Sequence, residues 1–305
     1  MLREGSLLFR MNVSAPSAEF SLPRSLLVLA GWGAYPRYVL QYARRLGVEK
    51  IAVLGFKGSC DRSLKPLCDR FDRIPLGSLD LFLEHVRAAE CETAIMAGQI
   101  HPLSLLHARF DDAAKAEMKK LPALNAHTAF GRIAEMLEER GMKVLPASFF
   151  MGTHLPGPGV LTARAPDERE ARDIRYGLDI ARQIGDADIG QTVVVKNGVI
   201  LAVEAFEGTN KAIDRGARMG RFGSVVAKAA KSGHDMRFDI PVIGLKTMAL
   251  LRRRRVSALG LQVGRVLLLE KDEILAFANR HGIAIEAVES GLPPAPHLPT
   301  EPSLP

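Results

Sequence analysis

Cysteine, aromatic residues and long apolar runs are all scarce in this chain of 305 residues, and each scarcity removes a class of protein. The three cysteines, Cys60, Cys68 and Cys91, are odd in number and irregularly spaced. They fit a reducing cytosol, rule out a disulfide framework and match no zinc-binding pattern. Aromatic residues make up only 6% of the chain and do not interleave with basic ones, so a single-stranded nucleic-acid reader is disfavoured and no nucleic-acid partner is expected. No apolar run approaches the roughly 20 residues of a membrane-spanning helix. Residues 1–24 lack the continuous apolar core and cleavage site of a signal peptide. They read as a disordered extension, with Met11 as an alternative start. Residues 291–305, GLPPAPHLPTEPSLP, read as a disordered Pro-rich tail.

What is present describes a globular chain, 47% hydrophobic and 25% charged. A net charge of +7 by itself favours anionic partners: nucleic acid, which the scarcity of aromatics weakens, phosphorylated metabolites or an anionic membrane surface. The length favours two domains. In residues 25–153 apolar runs alternate with helix signals. Strands are predicted at Leu26–Ala30, Ile51–Gly55, Thr93–Ala97 and Lys143–Leu145. Helices are predicted from Pro36 to about Leu46, around Leu79–Ala89 and at Ile133–Arg140. Such alternation implies an α/β fold with a Rossmann-like parallel sheet. The Gly/Pro-rich segment His154–Pro158 marks the domain boundary. A second α/β domain, residues 154–290, follows. It starts with an acidic helix entry at Asp167–Glu170 and ends in a strand–helix–strand unit at Val266–Leu269, Ile274–Arg280 and Ile283–Ala287.

Gly31-Trp32-Gly33 after the first strand is half of a dinucleotide fingerprint. Pro36 stands near the place of the third glycine, and no acidic residue closes the second strand at Gly55–Gly58. NAD binding therefore loses both its helix–strand packing and its ribose acceptor. His101 and His127 are acid–base candidates by residue type alone.

Residues 188–247 carry the most chemistry. Thr192–Val195 and Val199–Val203 read as two strands joined by Asn197–Gly198, a preferred hairpin turn. The second strand runs into Glu204, Glu207, Gly208 and Thr209. Lys228, Lys231, Arg237, Asp239 and Pro241 follow. Carboxylates that can hold a divalent cation, beside cations that can hold phosphate oxygens, suit phosphoryl chemistry. A solvated hairpin with ordinary surface charges accounts for the same residue types equally well.

The pattern Asp188, Gly190, Gln191, Gly198, Ala202, Glu204, Glu207, Gly208, Thr209, then Arg237, Asp239, Pro241, Gly244 and Thr247 resembles the C-terminal domain of the UDP-2,3-diacylglucosamine pyrophosphatases of lipid A biosynthesis. These are the type unrelated to calcineurin-like phosphoesterases. The glycine-rich turn at Gly31 and Gly33, and Gly98 with Pro102 in MAGQIHP, resemble the family's N-terminal turns.

The resemblance implies a cytoplasmic hydrolase, peripheral to the inner membrane, that cleaves UDP-2,3-diacylglucosamine to 2,3-diacylglucosamine 1-phosphate and UMP with Mg²⁺ or Mn²⁺. It implies that Asp239 is catalytic and that Asp239, Glu204 and Glu207 are metal ligands. Substrate would be bound by Gly31, Gly33, Gly98, Gln191, Thr209, Lys228, Lys231 and Arg237. Two positions depart from the family: Asn210 where Asp is common, and His234 where Gln is expected. The run Arg252–Arg255 is either a solvated face or a contact for the anionic inner leaflet. A homodimer is an open option. The alternative function is a non-catalytic nucleotide-sugar or lipid-binding protein that kept the fold.

Overall fold

Short, almost uninterrupted apolar runs form strands buried on both faces, which is what a parallel sheet between helix layers requires. In the computed structural model, which describes residues 21–100, 104, 107–121, 126–233, 235–238, 240–292 and 294–298, two such sheets are built in succession. The first consists of β1 (Ser25–Ala30), β2 (Lys50–Phe56), β3 (Arg70–Ile74), β4 (Thr93–Ala97) and β5 (Lys143–Val144). All are parallel, in the order β3-β2-β1-β4-β5.

The period of two divides the side chains. Leu26 and Val28 pack with Val39, Leu40 and Ala43 of α1 (Tyr35–Arg45) on one face. Leu27 and Leu29 pack with Phe82 and Val86 of α2 (Leu79–Ala89) on the other. That second face also carries α3 (Asp112–Met118) and Leu137 of α4 (Ala126–Glu138). Each fully buried Leu contributes roughly 1.5–3 kcal/mol. The strand β3, with the sequence RFDRI, was not anticipated. Its charged side chains suit an edge strand and hide the strand pattern.

The second sheet holds β6 (Gly159–Val160), β7 (Thr192–Lys196), β8 (Val199–Val203), β9 (Val225–Lys228), β11 (Ala258–Gln262) and β13 (Ala284–Val288), in the order β6-β13-β11-β9-β7-β8. Strands β9, β11 and β13 are parallel, while β7, β8 and β6 run antiparallel to their neighbours. Four helices accompany it: α5 (Glu168–Asp186), α6 (Thr209–Gly220), α7 (Leu245–Arg253) and α8 (Lys271–His281). The predicted Val266–Leu269 strand is shorter, β12 (Leu267–Leu268), and pairs with β10 (Val242–Ile243) outside the main sheet.

The acidic entry to α5 is a capping box, with Asp167 accepting from the Glu170 amide and Glu170 from the Asp167 amide. One turn on, buried Asp173 accepts the amides of Asn197 and Gly198 at 2.8 and 2.7 Å. Both turn residues have positive φ, 52° and 73°. The hairpin turn is thus both chosen by its residues and held by a carboxylate.

The join between the sheets is packed. His154, 6% exposed, lies between the Tyr42 hydroxyl and the Leu268 carbonyl, each at 3.0 Å. Burial lowers its pKa, the neutral ring being favoured. Ile240, Leu267 and Leu269 share one apolar cluster with β1 and α1. Among the described residues no helix is long and apolar enough to cross a membrane.

Candidate active site

Strand register assembles the centre of the site. Thr192 opens β7 opposite Lys228, the last residue of β9. The Glu204 amide, just beyond β8, donates to the Thr192 carbonyl at 2.8 Å. Three polar side chains from three strands therefore meet at one end of the sheet. Gly208, with φ 83°, lets the chain turn into α6 and brings Thr209 to them.

The resulting network is continuous. Lys228 Nζ donates to Thr192 Oγ1 at 3.0 Å and to Thr209 Oγ1 at 2.8 Å, and Thr209 in turn donates to Glu204 Oε1 at 2.8 Å. Glu204 Oε2 lies 3.8 Å from Lys228 Nζ, with the two side chains 13% and 4% exposed. Burial pushes the Glu204 pKa up, but the Lys228 charge, the Thr192 and Thr209 hydroxyls and the Gln191 amide outweigh it. The carboxyl is held below its usual range, ionised.

Other charges are matched around this core. Glu207 Oε1 accepts from Arg215 at 2.6 Å, which lowers its pKa. Lys231 reaches Asp188 at 2.6 Å. Arg237 is bound by Asp235 at 2.6 Å and by Glu138 of α4 at 2.7 Å, so it ties the signature loop to the first domain. Phe238 continues the tie, its ring 6.3 Å from that of Phe130. Asn210 accepts the Thr247 hydroxyl at 3.0 Å, linking the two halves of the motif, a role open to an aspartate as well. Asp239, His234, His101 and Pro102 lie outside the described residues, as does the side chain of His127.

On the first domain, Gly31 and Gly98 follow β1 and β4, where the strand order reverses. Ligands of open α/β sheets bind at such a switch point. Trp32 and Gln99 exchange backbone hydrogen bonds of 2.7 and 2.9 Å across it. A Cβ on Gly31 would meet the Gln99 carbonyl oxygen at 2.6 Å, and one on Gly98 would meet Gly31 C at 2.8 Å. Gly33, with φ 106°, faces open space. No side chain caps α1, whose first-turn amides stand beside this turn. The crevice at the switch point is otherwise apolar, walled by Leu29, Phe56, Met96, Phe130 and Phe238.

Residues 25–154 match the family model described as the LpxI N-terminal domain, and residues 157–286 match the LpxI C-terminal domain. This chain belongs to the LpxI family. Among its relatives is the UDP-2,3-diacylglucosamine pyrophosphatase LpxI of Caulobacter vibrioides, 30% identical over 282 residues. That alignment covers 87% of this chain and 98% of the relative. The LpxI match spans both sheets, so the fold expected from the resemblance is the one observed.

The described residues of this LpxI chain do not by themselves make a metal cage. Among them no three His, Cys, Asp or Glu side chains are placed to hold an ion. Glu204 is turned to Lys228 and Thr209, and Glu207 to Arg215. Two site residues escaped the sequence reading, Thr192 and Arg265. Arg265 is 4% exposed, donates to the Lys231 carbonyl at 3.4 Å and lies 3.9 Å from the Met236 sulfur. Burial lowers its pKa. An arginine so deep beside the signature loop is a candidate for charge complementarity in the site. Its one sequence signal is its position in the apolar run VGRVLLL.

Proposed function

We propose that this protein hydrolyses UDP-2,3-diacylglucosamine to 2,3-diacylglucosamine 1-phosphate and UMP, at the inner-membrane surface of the cytoplasm. The observation that carries the proposal is similarity over 87% of the chain to a pyrophosphatase named for that substrate, with Glu204, Thr209 and Lys228 of the motif joined in one polar centre. Asp239, in R-x-D-x-P, is the proposed catalytic carboxylate, acting on the attacking water. Lys228 and Lys231 precede it in the motif, and are the proposed cations that neutralise charge developing on phosphoryl oxygens. Both have carboxylate partners in the free protein, so substrate phosphates would compete with Glu204 and Asp188 for them. Gly31, Gly33 and Gly98 let backbone approach the substrate, while Gln191 and Thr209 position it from the second domain.

Mg²⁺ or Mn²⁺ is the proposed cofactor, with Asp239, Glu204 and Glu207 as candidate ligands. Such an ion supplies Lewis-acid polarisation of a phosphoryl oxygen and commonly takes substrate phosphates as ligands beside one or two carboxylates. The test is release of UMP by the pure protein from UDP-2,3-diacylglucosamine and from unacylated UDP-GlcNAc, with and without divalent metal. Turnover of the acylated substrate alone is expected. Comparable turnover of both would overturn the lipid assignment, and no turnover with substrate still bound would favour the non-catalytic alternative.

A further inference from the structure

The polar centre of the proposed site leaves unexplained an apolar space in the first domain. Between α2, α3 and α4 lies a cavity with about 120 Å³ of room. Its walls include Phe82, Ala114, Met118, Ala129, Phe130 and Met136. Close-packed interiors leave few voids larger than a water, which needs only roughly 10–15 Å³ on the same measure. The two charged residues in the wall, Glu117 and Arg132, are bound to each other at 2.8 Å. Glu117 also holds Lys120, and Arg132 also holds Glu139, each at 2.6 Å. Their charges are thereby paired off, and the lining offers a ligand chiefly hydrocarbon contact.

This cavity is not isolated. Phe56, Ile100, Phe130 and Ile133 wall both it and the switch-point crevice, which has about 40 Å³ of room. The crevice ends on Gly31, Gly98 and Phe238, and Phe238 directly precedes Asp239 in the chain. A continuous apolar lining therefore leads from the signature loop into the first domain. A nucleotide would find no polar partners there, whereas an alkyl chain attached to a sugar phosphate would meet only methyl, methylene and ring carbons.

Resting on the function proposed above, we propose that this lined space is the acyl chamber, which takes one fatty-acyl chain of the substrate and sets its permitted length. Ala129 on α4 and Met118 on α3 are then the specificity-determining residues. A benzyl group in place of the Ala129 methyl would take up room for several methylenes, and shortening Met118 would add room. One methylene in a hydrophobic pocket is worth about 10-fold or more in discrimination.

The test compares kcat/KM for substrates whose acyl chains run from short to long, in wild type, Ala129→Phe and Met118→Ala. The long-to-short ratio should fall at least ~10-fold in Ala129→Phe and rise in Met118→Ala. In parallel, a fluorescent fatty acid, cis-parinaric acid, is titrated into each protein without substrate. Binding should weaken in Ala129→Phe and persist in Met118→Ala. Unchanged length ratios together with unchanged probe affinity would overturn the chamber while leaving UMP release intact. Absence of UMP release in wild type would overturn the function instead, and the probe would still report on the chamber. Should Ala129→Phe fail to fold, as judged by circular dichroism, Met118→Ala decides alone: a length preference equal to wild type refutes the proposal.

Discussion

Replacing Lys228 by Met removes the cation from the centre of the polar network and leaves Glu204 behind. The two charges are 3.8 Å apart with little solvent between them. Coulomb attraction at that distance is roughly 4 kcal/mol at an effective dielectric of 20, before the cost of desolvation. Breaking a buried pair from one side costs about 3–5 kcal/mol, because the remaining charge stays buried. Thr192 and Thr209 would also lose the donor they share. A fall in melting midpoint on the order of 10 °C is therefore expected at neutral pH.

The pH dependence should change sign. In the native protein Glu204 titrates below its unfolded value, so its contribution is complete above roughly pH 4.3 and is lost as pH falls through the folded pKa. Without Lys228, only the Thr192 and Thr209 hydroxyls and the Gln191 amide still oppose burial, and the folded pKa is expected to rise above the unfolded value. The contribution then holds below the unfolded value and is lost as pH rises through the raised one. The penalty of Lys228→Met should thus be largest near pH 7 and shrink on acidification. Adding Glu204→Gln should recover much of it. The assay is thermal unfolding of wild type, both single variants and the double variant between pH 4 and 8. A Lys228→Met protein within about 1 kcal/mol of wild type at pH 7, or strict additivity of the two changes, would refute the ion-pair account.

Two further outcomes are expected. Asp239→Ala should lower kcat at least ~100-fold while substrate binding, measured directly, is largely kept; turnover within a few-fold of wild type would remove Asp239 from the mechanism. Replacing Arg252–Arg255 by alanine should weaken binding to anionic vesicles, by less than the ~1 kcal/mol per residue of free basic side chains. Arg253 and Arg254 already pair with Asp214 at 3.1 and 2.7 Å, and Arg255 stacks on Phe222 at 5.0 Å. Sedimentation with vesicles at several salt concentrations measures it, and an unchanged variant retires the contact.

The apolar strands β1, β2 and β4 and the Asn197–Gly198 turn were legible because local composition alone selects them. Strand β11 was not. Its sequence ALGLQ carries Gly260, which is there because Ile174 of α5 packs against it: an added Cβ would lie 2.5 Å from Ile174 Cγ2. Such a residue makes sense only once the helix is in place. The same holds in the site. Glu204, Thr209 and Lys228 stood out as motif residues, yet Thr192 joined them only through strand register. The partner of Arg237 on α4 lies 99 residues away in the chain, beyond any local pattern.

The interlocked turns after β1 and β4 bear on how this protein can change over time. Each glycine is hemmed in by backbone that the opposite turn supplies, not by a side chain that a neighbour could trim. A replacement at Gly31 or Gly98 has no compensating partner one mutation away, since backbone cannot be shortened. Gly33, two positions on, is sterically open yet carries a positive φ that disfavours other residues. The crevice mouth is therefore sterically fixed in a way that its apolar side-chain walls are not. Lineages can retune its apolar walls one side chain at a time, but the frame itself can be kept or lost and not gradually remodelled.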